Sequence, residues 1–343
     1  MPSPDISAAL HRALALAEQA IGLSDPNPRV GCVILGADGA DLGAGHTQPA
    51  GQAHAEVMAL RDAAARGHDV RGATAVVTLE PCSYHGRTPP CCDALIAAGV
   101  GRVVVAIEDP NPQVAGQGLA RLRAAGIAVE LADAAIAAAA RELNIGFFSR
   151  MQRARPFVRL KSAISLDGRT ALPDGRSQWI TGEAARTDGH AWRRRAGAVL
   201  TGIGTVMADD PRLDVRLVPT ASQPLRIVLD PQGRLPATAR ILQPPGQTRV
   251  VGPGYADLPA LLAELGLQGI NELHVEAGPR LSGAFIAAGL VDELLIYQAP
   301  LLIGEGRPLA ALSPLAGLGD ARRWRLVEAL PVGPDLRLRL RPA

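Results

Sequence analysis

The chain has 343 residues, 48% of them apolar and only 3% aromatic, with a formal net charge of +2. That length suits two domains, whose cores must rest on Ala, Leu, Val and Ile. The near-neutral balance and scarce aromatics argue against a broad nucleic-acid footprint, and no apolar run approaches the roughly 20 residues of a membrane span. Residues 1–22 carry Asp5, His11, Arg12 and Glu18 on an apolar repeat. That pattern predicts an amphipathic helix over 7–23, not a secretory signal, and a cytoplasmic setting is expected.

Strands and helices then alternate. A β-branched run predicts a strand at 30–35, helical periodicity a helix at 54–66, and further strands are expected at 73–79, 102–107 and 127–131. Helices are expected at 91–98, after Pro89-Pro90 and before Gly99, and at 116–125. An alanine-rich helix is expected at 133–143, and the mixed, basic stretch after it ends at Pro156. Domains are therefore expected at 1–150 and 151–343. In the second, strands are predicted at 157–165, 198–201, 225–229, 249–252, 273–276 and 293–297. Helices are predicted at 183–196, 257–265 and 280–288, and a terminal hairpin at 324–328 and 335–340. Such alternation implies an α/β fold with sheets between helices.

Four cysteines lie at 32, 82, 91 and 92, three of them clustered. Without a leader sequence, clustering favours a metal over disulfides. His54-Ala-Glu56, then Pro81-Cys82 and a later cysteine, follow the order found in zinc-dependent base deaminases. One imidazole and two thiolates give zinc three ligands and leave a fourth position open. Glu56 stays free to move protons as the catalytic acid and base. Cys91 opens a helix, where the dipole favours a thiolate, and Cys92 competes with it, since adjacent helical residues cannot both face the metal. Cys32 sits on an apolar strand and reads as core. The eight residues between Cys82 and Cys91 replace the usual two.

A family resemblance rests on Asp25-Pro-Asn-Pro-Arg-Val-Gly31, Gly45-His-Thr47, Ala50-Gly51, His54-Ala-Glu56 and Thr78-Leu-Glu-Pro-Cys-Ser-Tyr-His-Gly-Arg-Thr-Pro-Pro-Cys91. These segments closely resemble the bifunctional riboflavin-biosynthesis deaminase/reductase family, which carries the long insert. The resemblance implies a cytidine-deaminase-like three-layer first domain and Cys91 as the third ligand beside His54 and Cys82. It also implies hydrolytic deamination of a diaminopyrimidinone bearing a phosphoribosylamino arm. Asn27, His85 and Arg87 are then expected to contact substrate; Tyr84 departs from the family's pattern and is given no role.

The resemblance extends over most of 157–341 through Lys161-Ser-Ala-Ile-Ser-Leu-Asp-Gly-Arg169, Ser177-Gln-Trp-Ile-Thr181, Gly202-Ile-Gly-Thr205, Ala208-Asp-Asp-Pro211 and Val275-Glu-Ala-Gly-Pro279. It implies a dihydrofolate-reductase-like domain in which NADPH reduces the ribosyl group to ribityl. Cofactor contacts are expected from Ala163, Trp179, Thr205, Asp209 and the loop Gly278, Pro279, Arg280, Leu281, Ser282, Gly283 and Ala284. Substrate contacts are expected from Ser177, Arg193, Leu213, Arg216 and Glu276, the arginines gripping its phosphate. Asp209 or Glu276 is expected to protonate the opening ring oxygen, and a homodimer through this domain, or a higher homo-oligomer, is expected. Read without the family, Gly202-x-Gly204 is a weak dinucleotide fingerprint because Met207 replaces its third glycine. Two alternatives fit these residues less well. A nucleic-acid editing deaminase would need a basic stripe and stacking aromatics, and a structural zinc module would need a fourth ligand, for which only Cys92 is at hand.

Overall fold

Small residues let helices lie unusually close on the first sheet. In a computed structural model, residues 5–86, 89–112, 114–254 and 257–343 are described. The chain divides into two compact units, Met1–Ala154 and Arg155–Ala343. The basic stretch before Pro156 is a helix of the first unit, so the division lies four residues beyond the expected one.

The first unit runs α1 (Ile6–Glu18), β1 (Gly31–Leu35), β2 (Asp41–His46), α2 (Ala55–Ala65), β3 (Thr74–Val77), α3 (Cys91–Ala98), β4 (Arg102–Val105), α4 (Gln117–Ala124), β5 (Ala128–Leu131), α5 (Ala134–Leu143) and α6 (Ile145–Arg153). The sheet order is β2-β1-β3-β4-β5. β1 pairs antiparallel with β2 and β3, whereas β3, β4 and β5 are parallel. Alternate residues take opposite faces. Cys32, Ile34, Ala75, Val77, Val103 and Val105 join a core with α2, α3 and α4. Val33, Leu35, Val76 and Val104 join a second core with α1 and α5. This is the expected three-layer arrangement. β2 escapes the hydrophobic pattern because two of its inward positions are glycines. A side-chain carbon on Gly43 would stand 2.4 Å from the Ala59 carbonyl oxygen, and one on Gly45 would stand 2.5 Å from Met58 Cβ. Close packing of α2 therefore excludes any larger residue there.

The second unit runs β6 (Phe157–Ile164), β7 (Arg169–Ala171), α7 (Glu183–Arg195), β8 (Ala198–Gly202), α8 (Ile203–Asp209), β9 (Leu225–Leu229), β10 (Thr248–Val251), α9 (Leu258–Leu267), β11 (Glu272–Val275), α10 (Pro279–Ala287), β12 (Glu293–Gln298), β13 (Arg307–Pro308), β14 (Trp324–Val332) and β15 (Asp335–Pro342). Its main sheet has the order β10-β9-β8-β11-β6-β12-β15-β14. The six strands from β10 to β12 are parallel, and β15 and β14 add an antiparallel edge. The chain leaves β6, builds β8, β9 and β10 outward, then returns to place β11 between β8 and β6. Ligands of open α/β sheets bind where the order reverses, beyond the carboxyl ends of the strands.

Candidate active sites

In the first unit, α2 begins beside the end of the central strand β3. His54 is the N-cap of α2, with extended backbone, and Glu56 lies in its first turn, only 3% exposed. The segment after β3 carries Cys82, and Cys91 is the first residue of α3. The candidate metal cluster thus sits beyond the central strand of the sheet, a placement set by the strand order, which motifs do not encode.

His54 Nδ1 lies 3.3 Å from Cys91 Sγ and 3.7 Å from Cys82 Sγ. All three candidate ligand atoms fall within 4.8 Å of one another. A tetrahedral zinc with sulfur at about 2.3 Å and nitrogen at about 2.1 Å sets its ligands roughly 3.6 Å apart. The cluster matches that spacing, and its one nitrogen and two sulfurs match zinc's preference. The Cys91 N–H donates to Cys82 Sγ at 3.2 Å. Cys82 is held low by the hydrogen bond from the Cys91 thiol and by His54, so the site already favours a thiolate. Burial, and then the negative charge at Cys82, push the Glu56 carboxyl up to about 7.

Cys92 turns the other way. Its thiol is fully buried and donates to the carbonyls of Pro81 at 3.2 Å and Gly118 at 3.6 Å. Among the described residues, no fourth side chain closes the cluster. Cys32 is buried on β1, as expected.

Asn27 lies in the turn before β1. That turn is pinned from the far end of the unit: the Asn144 amide bonds both the N–H and the carbonyl of Arg29, and Arg150 donates to the Pro26 carbonyl at 3.0 Å. Burial, and then the negative charge at Cys82, push the Tyr84 hydroxyl up. His85 is exposed. Arg87 lies outside the described residues.

In the second unit a cavity of about 1360 Å³ opens at the reversal point, beyond β6, β8, β9 and β11. It is lined by Ala163, Ser177, Trp179, Thr205, Asp209, Leu213, Arg216, Glu276, Gly278, Pro279, Arg280, Leu281 and Ala284, together with Arg193. Two strand-to-helix turns face it, Gly202 before α8 and Gly278 before α10, and the Gly278 N–H donates to Thr205 Oγ1 at 3.1 Å. Ser282 and Gly283 do not line it. The Ser282 hydroxyl donates to the Ala277 carbonyl, and Gly283 packs so tightly on Ala311 that an added side-chain carbon would stand 2.1 Å from its oxygen. Helical periodicity turns these two positions of the expected loop into the core.

Arg193 is the larger departure. Its guanidinium grips both oxygens of Glu276, with Nη2 donating to Oε2 at 2.9 Å. A fork so occupied cannot also take a phosphate bidentately. The run 193–195 splits as helical spacing requires: Arg195 pairs with Glu272, and Arg194 donates to the Pro219 carbonyl. Arg216 shares the buried Asp214 with Arg212. Arg234, Arg240 and Arg280 also line the cavity, with no ion-pair partner for their side chains among the described residues.

Glu276 is also 3.6 Å from the ammonium of Lys161, the chain's only lysine. Burial pushes its carboxyl up, but Arg193 and Lys161 outweigh burial and hold it well below the usual range. A carboxylate so held is an acceptor, not the proton donor expected of it. Lys161 lines the same cavity; it opens one of the family motifs, but nothing in the sequence assigned it a role of its own. Asp209 is shifted upward by burial and accepts from the Ser177 hydroxyl at 3.3 Å.

Comparison with known proteins agrees with this division. Residues 4–107 match the family model for the cytidine and deoxycytidylate deaminase zinc-binding region, and residues 156–338 match that for the RibD C-terminal domain. The chain is 48% identical to the riboflavin biosynthesis protein RibD of Escherichia coli K12, covering 96% of this chain and 97% of that one. It is 42% identical to RibD of Mycobacterium tuberculosis, covering 98% and 97%. Among solved structures, Acinetobacter baumannii RibD matches with a TM-score of 0.91 and 43% identity, covering 98% and 99% of the two chains. A Thermotoga maritima diaminohydroxyphosphoribosylaminopyrimidine deaminase/5-amino-6-(5-phosphoribosylamino)uracil reductase matches at 0.90 and 31%, with the same coverage. With identity of this level along nearly the whole chain, the protein belongs to the RibD family of bifunctional deaminase/reductases of riboflavin biosynthesis.

Proposed function

We propose that the two reactions of this family are divided between the two units, the first deaminating and the second reducing, with the residues assigned as follows. The overall chemistry is removal of the 2-amino group from 2,5-diamino-6-(5-phosphoribosylamino)pyrimidin-4-one, then NADPH-dependent reduction of the ribosyl arm to ribityl.

In the first unit His54, Cys82 and Cys91 would hold the zinc. A zinc bound by two thiolates and one imidazole makes water acidic near neutral pH. Glu56 accepts a proton from the attacking water at a carboxylate oxygen. It delivers that proton to the ring nitrogen, then takes the second proton from the hydroxyl left on the ring carbon and passes it to the departing amine, which leaves as ammonia as the carbonyl forms. Burial at 3% exposure keeps bulk water from competing for this carboxylate. Asn27 and the insert after Cys82, including His85 and Arg87, meet the pyrimidine edge and its phosphoribosyl arm. Cys92 holds the Pro81 carbonyl and takes no part in the chemistry.

In the second unit the cavity holds the deaminated product beside NADPH, which supplies the hydride. The turns at Gly202–Thr205 and Gly278–Leu281 face the nucleotide with helix N-termini, suited to its phosphates. Glu276, fixed by Arg193, orients the sugar hydroxyls as an acceptor. Lys161 gives a proton to the ring oxygen as the sugar opens. Arg216, only partly engaged by Asp214, remains for the substrate phosphate, with Arg193 acting through Glu276 instead. The enzyme acts in the cytoplasm on a small molecule, as a homodimer through the second unit, without nucleic acid or membrane. No described helix is long and apolar enough to cross a membrane.

The observation that carries this reading is the convergence of one imidazole and two thiols within 4.8 Å, beside a buried glutamate. Metal removal tests it. Dialysis against a chelator should abolish ammonia release, and added zinc should restore it. NADPH oxidation on already deaminated substrate should be unchanged throughout. Ammonia release that survives full zinc removal would contradict the assignment.

A further inference from the structure

We infer that Glu80 is a positioning residue that fixes the Cys82 thiol for metal binding, through four backbone N–H groups of the loop and helix beside it. The inference rests on the zinc reading above and adds a residue outside the ligand set. Glu80 lies two residues before Cys82 and is 3% exposed. A buried carboxylate must find donors, so its partners define its role. Oε1 accepts from the Gly118 N–H at 2.8 Å and the Leu119 N–H at 3.3 Å. Oε2 accepts from the Gly116 N–H at 3.0 Å and the Asp109 N–H at 3.2 Å. Three of these donors open α4, whose unpaired N–H groups and positive dipole end suit an anion. No arginine or lysine forms an ion pair with Glu80 among the described residues. Its position is therefore set by backbone geometry, which is stiffer than a pair of long side chains.

The position matters because β3 ends at Val77. Beyond that residue the chain has left the regular strand and must be held in other ways. The Glu80 N–H donates to the Ile107 carbonyl at 3.0 Å. The Cys92 thiol donates to the Pro81 carbonyl, and Arg121 donates to the Ser83 carbonyl at 3.0 Å while pairing with Asp93 at 2.6 Å. The Cys92 N–H donates to the Cys82 carbonyl at 3.2 Å. Cys82 is thus clamped between the starts of α3 and α4, and Glu80 makes the largest share of the bonds to α4. The fit leaves no slack: a side-chain carbon on Gly118 would stand 2.1 Å from the Pro81 carbonyl oxygen. Groups that orient metal ligands in this way typically change metal affinity by about 10- to 100-fold.

The test uses the full chain and measures zinc affinity by competition with a chromophoric chelator, together with thiolate-to-metal absorption after cobalt substitution. Glu80→Gln turns one acceptor oxygen into an NH2 group that faces two N–H donors. Zinc affinity should fall about 10- to 100-fold, the cobalt spectrum should shift, and NADPH oxidation on deaminated substrate should stay at the wild-type rate. Gly118→Ala presses on Pro81 from the other side and should lower zinc affinity in the same direction. A Glu80→Gln chain with wild-type zinc affinity and cobalt spectrum, even with a lowered melting temperature, would show a purely structural role and overturn the inference. Should Glu80→Gln not fold, wild-type affinity in Gly118→Ala overturns it instead. A wild-type chain that binds neither metal through thiolates would sink the zinc reading itself, a result distinct from either variant's.

Discussion

The Glu56→Gln chain keeps its zinc, releases ammonia on the order of 10²–10⁴-fold more slowly, and oxidises NADPH on deaminated substrate at the wild-type rate. Gln has the shape of Glu but cannot carry a proton between water, ring nitrogen and leaving amine. The three candidate ligand atoms belong to His54, Cys82 and Cys91, so the substitution spares them. It also removes a carboxyl whose burial costs stability, so the fold should not suffer. Ammonia release by a coupled assay, metal content and NADPH absorbance check the three parts. Ammonia at the wild-type rate would remove Glu56 from the mechanism. Loss of bound zinc would make it a ligand or a support for one.

That much of the site could be read in the sequence because its parts are local. A residue at a helix N-cap, one in the first turn after it, and a cysteine opening another helix keep their relations wherever the helices go. What could not be read depends on the sheet. The strand order puts the cluster at the central strand, and no motif states that order. β2 was hidden because Gly43 and Gly45 replace the apolar side chains that announce a strand. The short α8, opening Ile203-Gly204-Thr205, was hidden by the same lack of pattern. Glu80 lies within the segment from Thr78 to Cys91, yet its role needs the start of α4, more than 30 residues away. Arg193 carried the right charge for a phosphate, but only the register of β11 against α7 reveals that Glu276 has already taken its fork. The alternation Arg337-Leu-Arg-Leu-Arg341 predicted an edge hairpin correctly. It could not say that Arg339 and Arg341 face the buried Glu293, one of two buried carboxylates that share Arg159.

Those carboxylates carry the second large effect. Arg159→Ala should lower the unfolding free energy of the second unit by about 3–5 kcal/mol. Arg159 is 1% exposed, with Nε donating to Glu293 Oε1 at 2.7 Å and Nη1 donating to Glu272 Oε2 at 2.7 Å. Its guanidinium stacks 4.4 Å from the Trp192 ring. The arrangement spans three neighbouring strands, β11, β6 and β12, and Arg195, Arg339 and Arg341 complete it. Removing the central cation leaves two buried carboxylates short of a partner, which costs far more than the pair gained. Urea unfolding followed by tryptophan fluorescence measures the loss, with Trp192 as a direct reporter.

The same network makes the unit acid-sensitive. Burial pushes the Glu293 carboxyl up, but Arg159 and Arg339 outweigh it and hold it at about 2. The unfolded value is about 4.3. Because the folded value is the lower one, the unfolded state binds the proton more readily. The stabilisation is fully present above about pH 4.3 and is lost as pH falls toward 2. The urea midpoint should therefore decline across that window, and the decline should be shallower in Arg159→Ala. An Arg159→Ala chain as stable as the wild type would mean that water or a rearranged Arg339 replaces the lost cation.

Two independent sites acting in sequence on one scaffold are the centre of this account, and mixing two crippled chains tests it most directly. Glu56→Gln lacks the first step. Glu276→Gln, which removes the charge that holds Arg193 and turns one acceptor oxygen of the second cavity into an NH2 group, should lack the second. Each alone, given the phosphoribosylated diaminopyrimidinone, zinc and NADPH, should stop short: the first releases ammonia only at its residual rate, and the second releases ammonia without consuming NADPH. Mixed in equal amounts, they should convert substrate fully to the ribityl product, with one NADPH oxidised per ammonia released. A mixture that stalls after ammonia release, although Glu56→Gln alone reduces the purified intermediate, would contradict independent sites.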